Sequence, residues 1–282
     1  MFGTKRTGSV LCPACGRLVG VNDEVCYNCG RRKPGMWGLT AALRSAGRTV
    51  PFDQFVIGGT VFLFLCMIAV DPAGVDVSFS FLNLLAPSDE ALIRFGAAGA
   101  MPVWGFGRWW TLLSAGWLHG SLIHIAFNLS WIRVLVPGMS DLYGPARMML
   151  IYTISSAFAF FVSSTALLFL PWGARMTVGA SAPILGLLGA MVWYGRRTGS
   201  HALGSQAWTW AIFSILIGFI LPRVDNLAHI GGFVGGYLAG VFFDPRKPER
   251  PVHVAMAIVC LIATLAAIVA SLVDNRFYNL LR

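Results

Sequence analysis

Two polar side chains near the starts of two apolar segments could together perform nucleophilic catalysis. Ser181 lies in TVGASAPILG at 177–186, and His229 lies in NLAHIGGFVGGYLAG at 226–240. A serine hydroxyl is a weak nucleophile, and an adjacent imidazole activates it by accepting its proton. The sequence therefore suggests a catalytic pair of Ser181 and His229. The alternative is that Ser181 is only a small residue at a helix start, where its hydroxyl bonds to the local backbone.

A third apolar segment, WLHGSLIHIAFN at 117–128, supplies three more candidate side chains, His119, His124 and Asn128. His124 and Asn128 are four residues apart, so they share one helical face and can both donate hydrogen bonds toward an oxyanion. His119 would lie about 140° around the helix from His124. We therefore expect His119 to point elsewhere and to support the neighbouring loop. A catalytic metal held by His119, His124 and His229 is disfavoured, because no carboxylate is expected at their depth.

Backbone groups at the start of the serine segment are further candidates for oxyanion binding. Pro183 suits the first turn of a helix, where its missing N–H has no role. The free N–H groups around Ser181 and the positive helix end favour a developing negative charge.

Small residues are expected to bring the serine and histidine segments together. Ala228, Gly232, Gly236 and Gly240 recur every four residues in one segment, and Ala182, Gly186 and Ala190 do so in the other. Such stripes let two helix backbones approach closely in a membrane.

The composition indicates an all-α polytopic membrane protein. Of 282 residues, 56% are hydrophobic and 12% are charged, against about 25% charged in soluble domains. The mean hydropathy is +0.70. The net charge of +9 is assigned to loops at a membrane surface, and no nucleic-acid partner is expected. Seven spans are predicted, at 55–70, 113–136, 147–170, 182–195, 207–221, 227–243 and 252–272.

The distribution of basic residues predicts the orientation of these spans. If the N-terminus is cytoplasmic, 15 of the 21 Lys and Arg residues lie in cytoplasmic segments, so the N-terminus should be cytoplasmic and the C-terminus extracytoplasmic. The spans that carry His124, Ser181 and His229 then all begin at the outer face. Segment 71–112, which contains Trp104, Trp109 and Trp110, should be a loop partly embedded at that face. The N-terminus lacks the pattern of a signal peptide, and a prokaryotic cytoplasmic membrane is the expected location.

Four of the six cysteines precede the first span, in CPACG at 12–16 and CYNCG at 26–30. Cys12, Cys15, Cys26 and Cys29 form two C-x₂-C knuckles, each followed by glycine, as in a zinc ribbon. Two disulfides are the competing interpretation, which a reducing cytosol disfavours. We expect a structural Zn²⁺ and leave open a cytoplasmic protein partner for the ribbon. Cys66 and Cys260 lie inside predicted spans and should pack as small apolar groups.

The chain resembles the rhomboid intramembrane serine proteases over nearly all of 50–272. The resemblance rests on the order of the spans and on three motifs, LHGSLIHIAFN, GASA and AHIGGFVGGYLAG. The resemblance implies a Ser181–His229 dyad without an acidic third member and without a catalytic cofactor. It implies oxyanion binding by His124, Asn128 and the Ser181 N–H. It also implies cleavage of transmembrane protein substrates, within the lipid bilayer, near their extracytoplasmic ends. Gly179, His119, Gly232 and Gly236 are the supporting motif positions.

Three positions depart from the family pattern. Ala182 stands where the serine motif usually ends in glycine, Thr111 follows Trp110 where an arginine is usual, and Ser140 stands where a glutamate is expected. The alternative function is therefore an inactive relative that binds or chaperones transmembrane helices. The retained serine, histidine and oxyanion donors favour the enzyme.

The predicted domain organisation has four parts. A zinc-ribbon-like cytoplasmic domain covers 1–34, and a basic linker covers 35–54. A six-helix rhomboid protease core covers 55–246, and a seventh transmembrane helix with its tail covers 247–282.

Overall fold

Seven long helices follow one another through the apolar part of the chain. The computed structural model describes residues 8–12, 14–35, 52–77, 82–221, 223–274 and 276. Most of the predicted basic linker (36–51), Pro222 at the end of the fifth predicted span, and the tail at 277–282 lie outside this part. Within it, the long helices are α1 (Phe52–Val70), α4 (Leu122–Tyr143), α5 (Pro145–Ala166), α6 (Ser181–Thr198), α7 (His201–Ile220), α8 (Asn226–Phe242) and α9 (Pro251–Val273).

The helices fit a membrane protein by length and composition. Among the described residues, α4, α5, α7 and α9 are each long and apolar enough to cross a bilayer. The helices that carry Ser181 and His229, α6 and α8, are shorter, with 18 and 17 residues. The predicted all-α polytopic fold is confirmed, and the chain is an integral membrane protein.

The second predicted span has the wrong boundaries. It was expected at 113–136, but α4 begins at Leu122 and continues through Pro137 to Tyr143. Residues before it form the short helix α3 (Thr111–Ser114) and a 3₁₀ turn (Ala115–Trp117), followed by an extended Leu118. The Ser121 hydroxyl accepts the His124 N–H, so Ser121 caps the helix and fixes its start. The third span likewise ends early, at Ala166.

Helices α6 and α8 form the central pair, and their glycines are in direct contact. A Cβ placed on Gly236 would overlap the Gly186 carbonyl, and one on Gly232 would overlap the Ala182 carbonyl. On the other side, a Cβ on Gly186 would overlap Ser155 of α5. These contacts are the close backbone approach expected from the small-residue stripes, and they align the starts of α6 and α8.

The loop between α1 and α4 is attached to the segment that precedes α6. It contains helix α2 (Asp89–Phe95), whose N-cap is Ser88, and a π-helical turn (Met101–Gly105). Ala98 and Thr177 form an antiparallel bridge, with backbone hydrogen bonds of 3.1 and 2.8 Å. The loop is therefore hydrogen-bonded to the segment that leads into Ser181.

At the opposite end of the bundle, the connector from α8 to α9 covers the start of α5. The Glu249 carboxylate accepts the Ala146 N–H at 3.0 Å and the Arg147 N–H at 3.3 Å. Arg147 in turn donates to the carbonyls of Asp244 and Lys247. Burial raises the pKa of the Glu249 carboxyl, although these amides act in the opposite direction. The Glu249 carboxylate thus caps N–H groups in the first turn of α5.

The N-terminal cysteine region is a small ribbon with its own core. Strands β1 (Ser9–Leu11) and β2 (Leu18–Gly20) pair antiparallel, and Cys12 and Cys26 are buried with Val10, Val19 and Val21. Gly16 and Gly30, which close the two knuckles, have φ values of +74° and +71°. That conformation favours glycine, so each turn depends on the residue that follows its second cysteine.

Candidate active site

Ser181 and His229 meet at the starts of α6 and α8. The His229 Nε2 lies 3.0 Å from the Ser181 Oγ. His229 is 7% exposed, and Ser181 is partly exposed. The hydroxyl and the imidazole are therefore within hydrogen-bonding reach, and the aligned glycine contacts of the two helices hold them there.

The backbone just before Ser181 is fixed by contacts with the 115–119 segment. The Gly179 N–H donates to the Ala115 carbonyl at 3.0 Å, and the Ala180 N–H donates to the His119 Nε2 at 3.4 Å. Gly179 has a φ of +138°, which L-residues rarely adopt. At the first turn of α6, the Ser181 and Ala182 N–H groups have no intrahelical acceptor, which suits them to an anion.

The expectation that His119 points away from the serine is wrong. It assumed that 119 and 124 lie on one helix, whereas His119 precedes α4. Its ring lies 4.9 Å from the His124 ring, centroid to centroid, and its Nε2 contacts the residue before Ser181. His119 therefore directly contacts residues 174–180, the segment that leads into Ser181 and that we call the serine loop.

His124 faces the same point as the serine hydroxyl. Its Nδ1 accepts the Gly120 N–H at 3.4 Å, so the neutral ring carries its proton on Nε2. A Cβ on Gly179 would lie 2.8 Å from this Nε2 and 3.5 Å from the Ser181 Oγ. An N–H donor and the nucleophile thus flank one small space, which only a glycine at 179 leaves open.

Asn128 is buried behind His124. It is 1% exposed, and its Nδ2 donates to the His124 carbonyl at 2.9 Å, one helical turn earlier. This bond uses one of the two N–H groups of the amide. The structure thus brings His124 and Asn128 together on one face of α4, as the spacing predicted.

An acidic residue near the histidine was missed. Asp225 is the N-cap of α8 and accepts the Ala228 N–H at 3.0 Å and the Ser163 hydroxyl at 2.6 Å. It does not bond the His229 ring, whose Nδ1 has no hydrogen-bond partner in the described part of the chain. The signal was available in the sequence, because an aspartate one turn before the histidine is a typical N-cap.

The tyrosines of α6 and α8 contact residues other than His229. Tyr194 contacts Tyr143 with ring centroids 5.9 Å apart, and Tyr237 accepts a 3.0 Å hydrogen bond from Arg196.

The four ribbon cysteines form a candidate metal centre. Their sulfur atoms all lie within 4.8 Å of one another, and Cys12–Cys29 and Cys15–Cys26 are each 3.7 Å apart. A disulfide would need about 2.05 Å. Four sulfurs placed about 2.3 Å from a tetrahedral Zn²⁺ would be about 3.8 Å apart. The spacing therefore fits a metal tetrathiolate better than it fits two disulfides.

The pKa values of two ribbon thiols also favour the binding of a cation. A hydrogen bond from the Arg17 N–H lowers the pKa of Cys15 to about 6, and the Asn28 side chain adds to this effect. The Arg31 N–H acts in the same direction on Cys29, but desolvation and the neighbouring sulfurs raise the pKa of Cys29 to about 12. Metal binding requires the thiolate form of each cysteine, and a bound Zn²⁺ would stabilise that form.

Comparison with known proteins identifies the central part of the chain. A rhomboid domain matches residues 107–246. RHOMBOID-like protein 4 of Arabidopsis thaliana is 34% identical over 57% of this chain and 42% of its own length. Rhomboid protease GluP of Bacillus subtilis (strain 168) is 32% identical over 56% of this chain and 30% of its own length. Rhomboid-like protease 2 of Toxoplasma gondii is 26% identical over 73% and 75%.

The chain spans only about half the length of most of the curated relatives it matches, or less. In five of them the matched part is between 30% and 54% of the relative's length. The rhomboid domain at 107–246 contains Ser181, His229, His124 and Asn128. The chain belongs to the rhomboid family.

Proposed function

We propose that this protein is an intramembrane serine endopeptidase that cleaves transmembrane segments of other membrane proteins. The observation that carries the proposal is the 3.0 Å contact between the Ser181 Oγ and the His229 Nε2, with the His124 Nε2 beside them. The names of two relatives, Rhomboid protease GluP and Rhomboid-like protease 2, support the same activity.

The proposed mechanism uses His229 as general base and then as general acid. Its Nε2 takes the Ser181 proton as the Oγ attacks the scissile carbonyl, and it gives that proton to the leaving amine. Water then attacks the acyl-enzyme by the same route, with the proton again passing through His229. Because Nε2 must begin unprotonated, the neutral ring carries its proton on Nδ1.

The developing oxyanion would accept hydrogen bonds from the His124 Nε2 and from the N–H groups at the start of α6. Asn128 would contribute its second amide N–H. We expect His124→Ala to lower kcat by about 10²–10³-fold while KM changes little, because the lost donor acts mainly in the transition state. Initial rates on a fluorogenic transmembrane substrate measure this. His201→Ala, at an exposed position at the start of α7, is the matched control. A His124→Ala variant as active as that control would remove His124 from the oxyanion site.

The orientation of the chain is part of the proposal. With the N-terminus cytoplasmic, the Ser181 end of the bundle faces the extracytoplasmic side, and substrates would be cut near that end. The ribbon would then face the cytoplasm and hold a structural Zn²⁺ away from the dyad. A cytoplasmic protein partner of the ribbon is a further element of this proposal.

Purified protein in liposomes, supplied with labelled single-span helices, tests the function. Helices with a Gly-rich outer end are the best probes, because glycine destabilises a helix and an unwound segment exposes its carbonyls. Mass analysis of the products gives the position of the cut. Binding of such helices without any cleavage would replace the enzyme with a helix-binding relative of the family.

A further inference from the structure

The end of α9, which is the seventh long helix, is joined through one buried arginine to the loop that precedes α4. Arg108 is 1% exposed. Its guanidinium donates to the Ile93 carbonyl at 2.9 Å and to the Ser271 carbonyl of α9 at 3.0 Å. Its Nε lies 3.3 Å from a carboxylate oxygen of Asp274, directly after α9. We call Arg108, Ser271 and Asp274 the α9 clamp.

Side chains next to the clamp strengthen the same junction. The Trp110 Nε1 donates to the Ser271 hydroxyl at 3.0 Å. The Ser114 hydroxyl donates to the Gly96 carbonyl at 2.7 Å, and a Cβ on Gly96 would lie 2.8 Å from the Ser271 Oγ. The chain around Gly96 is therefore held between α3 and the end of α9, with no space for a side chain.

Charge favours the clamp at neutral pH. Partial burial alone would raise the pKa of the Asp274 carboxyl, but hydrogen bonds from Arg276 and the charge of Arg108 lower it below its usual value. Asp274 is therefore ionised, and its attraction for Arg108 acts where both side chains are largely shielded from solvent, with 10% and 1% exposure.

The clamped loop continues directly into the contacts that shape the serine loop. Ala98 bridges Thr177, and the Ala100 N–H donates to the Ala174 carbonyl at 2.9 Å. From the other arm of the loop, the Ala115 carbonyl accepts the Gly179 N–H at 3.0 Å. Both arms of the 96–117 loop therefore touch the 174–179 segment, which ends two residues before Ser181.

We infer that the α9 clamp is a positioning device for the serine loop: the seventh helix holds the 96–117 loop through Arg108, and that loop holds Thr177 and Gly179 in the geometry of the oxyanion site. Arg108, Ser271 and Asp274 do not touch the reacting atoms. Their effect reaches Ser181 only through the backbone of the two segments. This inference rests on the proposed peptidase function.

The test compares Asp274→Asn and Ser271→Ala in the full-length protein with Val273→Ala and Val269→Ala. The two valines lie on the same turns of α9 and are 70% and 49% exposed, so they control for changes to the helix itself. Asp274→Asn removes one charge and leaves the side-chain shape. Kinetics on the transmembrane substrate and amide hydrogen exchange are measured on the same preparations.

We expect Asp274→Asn to lower kcat about tenfold with little change in KM, since a charge-assisted contact is lost and substrate binding is not touched. Exchange of the amides at 96–101 and 174–180 should rise by a similar factor. The core amides of α6 and α8 should be unaffected. The valine variants should match the wild type in every readout.

Three results would overturn the inference: unchanged exchange at 174–180, faster exchange there with unchanged kcat, or a uniform rise that includes the α6–α8 core. The exchange data also separate this inference from the proposed function. If the wild type cleaves nothing, the peptidase proposal fails. Exchange at 174–180 alone then decides whether the clamp holds the serine loop.

Discussion

Replacing Ser181 by alanine, or His229 by alanine, is expected to lower kcat by about 10⁴–10⁶-fold, the range found when one member of a serine-protease triad is removed. Alanine at 181 deletes only the Oγ that lies 3.0 Å from the imidazole. Alanine at 229 removes the general base, so the Ser181 hydroxyl has no adjacent group to accept its proton. Because the two groups act as one unit, the double variant should be no slower than either single variant.

Two readouts separate loss of chemistry from loss of fold. Cleavage of a labelled single-span helix gives kcat, and covalent labelling by a fluorophosphonate reports on the nucleophile itself. Ser130→Ala and His201→Ala, at exposed positions on α4 and α7, are matched controls and should label and cleave like the wild type. Cleavage that persists in Ser181→Ala would eliminate the serine mechanism. Strictly additive losses in the double variant would show that the two residues do not form a dyad.

The approach of α6 and α8 could be predicted because it depends on residue size and on helical periodicity. Glycine and alanine at four-residue spacing identify the two faces that can meet, and the structure has Gly232 and Gly236 against the backbone of α6. Periodicity also placed His124 and Asn128 on one face. Neither pattern predicts the distance between the Ser181 Oγ and the His229 Nε2, because that distance depends on how far α6 and α8 are shifted along each other.

The segment before α4 could not be predicted in the same way. Residues 111–121 are apolar enough to extend a helix, but the helix begins only where Ser121 caps it. A Cβ on Gly116 would overlap the Ser156 hydroxyl, so this segment packs directly against α5. Tertiary contact outweighs local propensity in this segment, and the predicted direction of His119 failed for that reason.

Polar contacts between distant parts of the chain were also invisible in the sequence. Arg108 bonds Ser271 across 163 positions, and Glu249 bonds Ala146 across 103. The sequence shows that an arginine or a glutamate is present, but periodicity identifies only its face and never its partner. Both contacts join the seventh helix or its connector to the rest of the bundle, so the attachment of that helix was not predictable.

Removing the metal from the ribbon is expected to abolish its structure while leaving the dyad intact. The described ribbon has only two three-residue strands and a core of three valines around its cysteines, too little apolar area to fold alone. Four sulfurs at tetrathiolate spacing would supply the missing free energy through Zn²⁺, as in other small zinc domains. We therefore expect one Zn²⁺ per chain, and complete loss of amide protection at 9–21 on chelation.

Metal analysis of the full-length protein, combined with the d–d spectrum after cobalt substitution, measures this. Cys12→Ser and Cys26→Ser should lose the metal and the tetrahedral thiolate spectrum, because each removes a ligand from a four-ligand site. Cys66→Ser and Cys260→Ser are the matched controls, since these thiols lie in α1 and α9 and should leave the metal content unchanged. Fluorophosphonate labelling of Ser181 should persist in all four variants. Stoichiometric Zn²⁺ that survives Cys12→Ser, or ribbon amides that stay protected after chelation, would contradict a structural metal site.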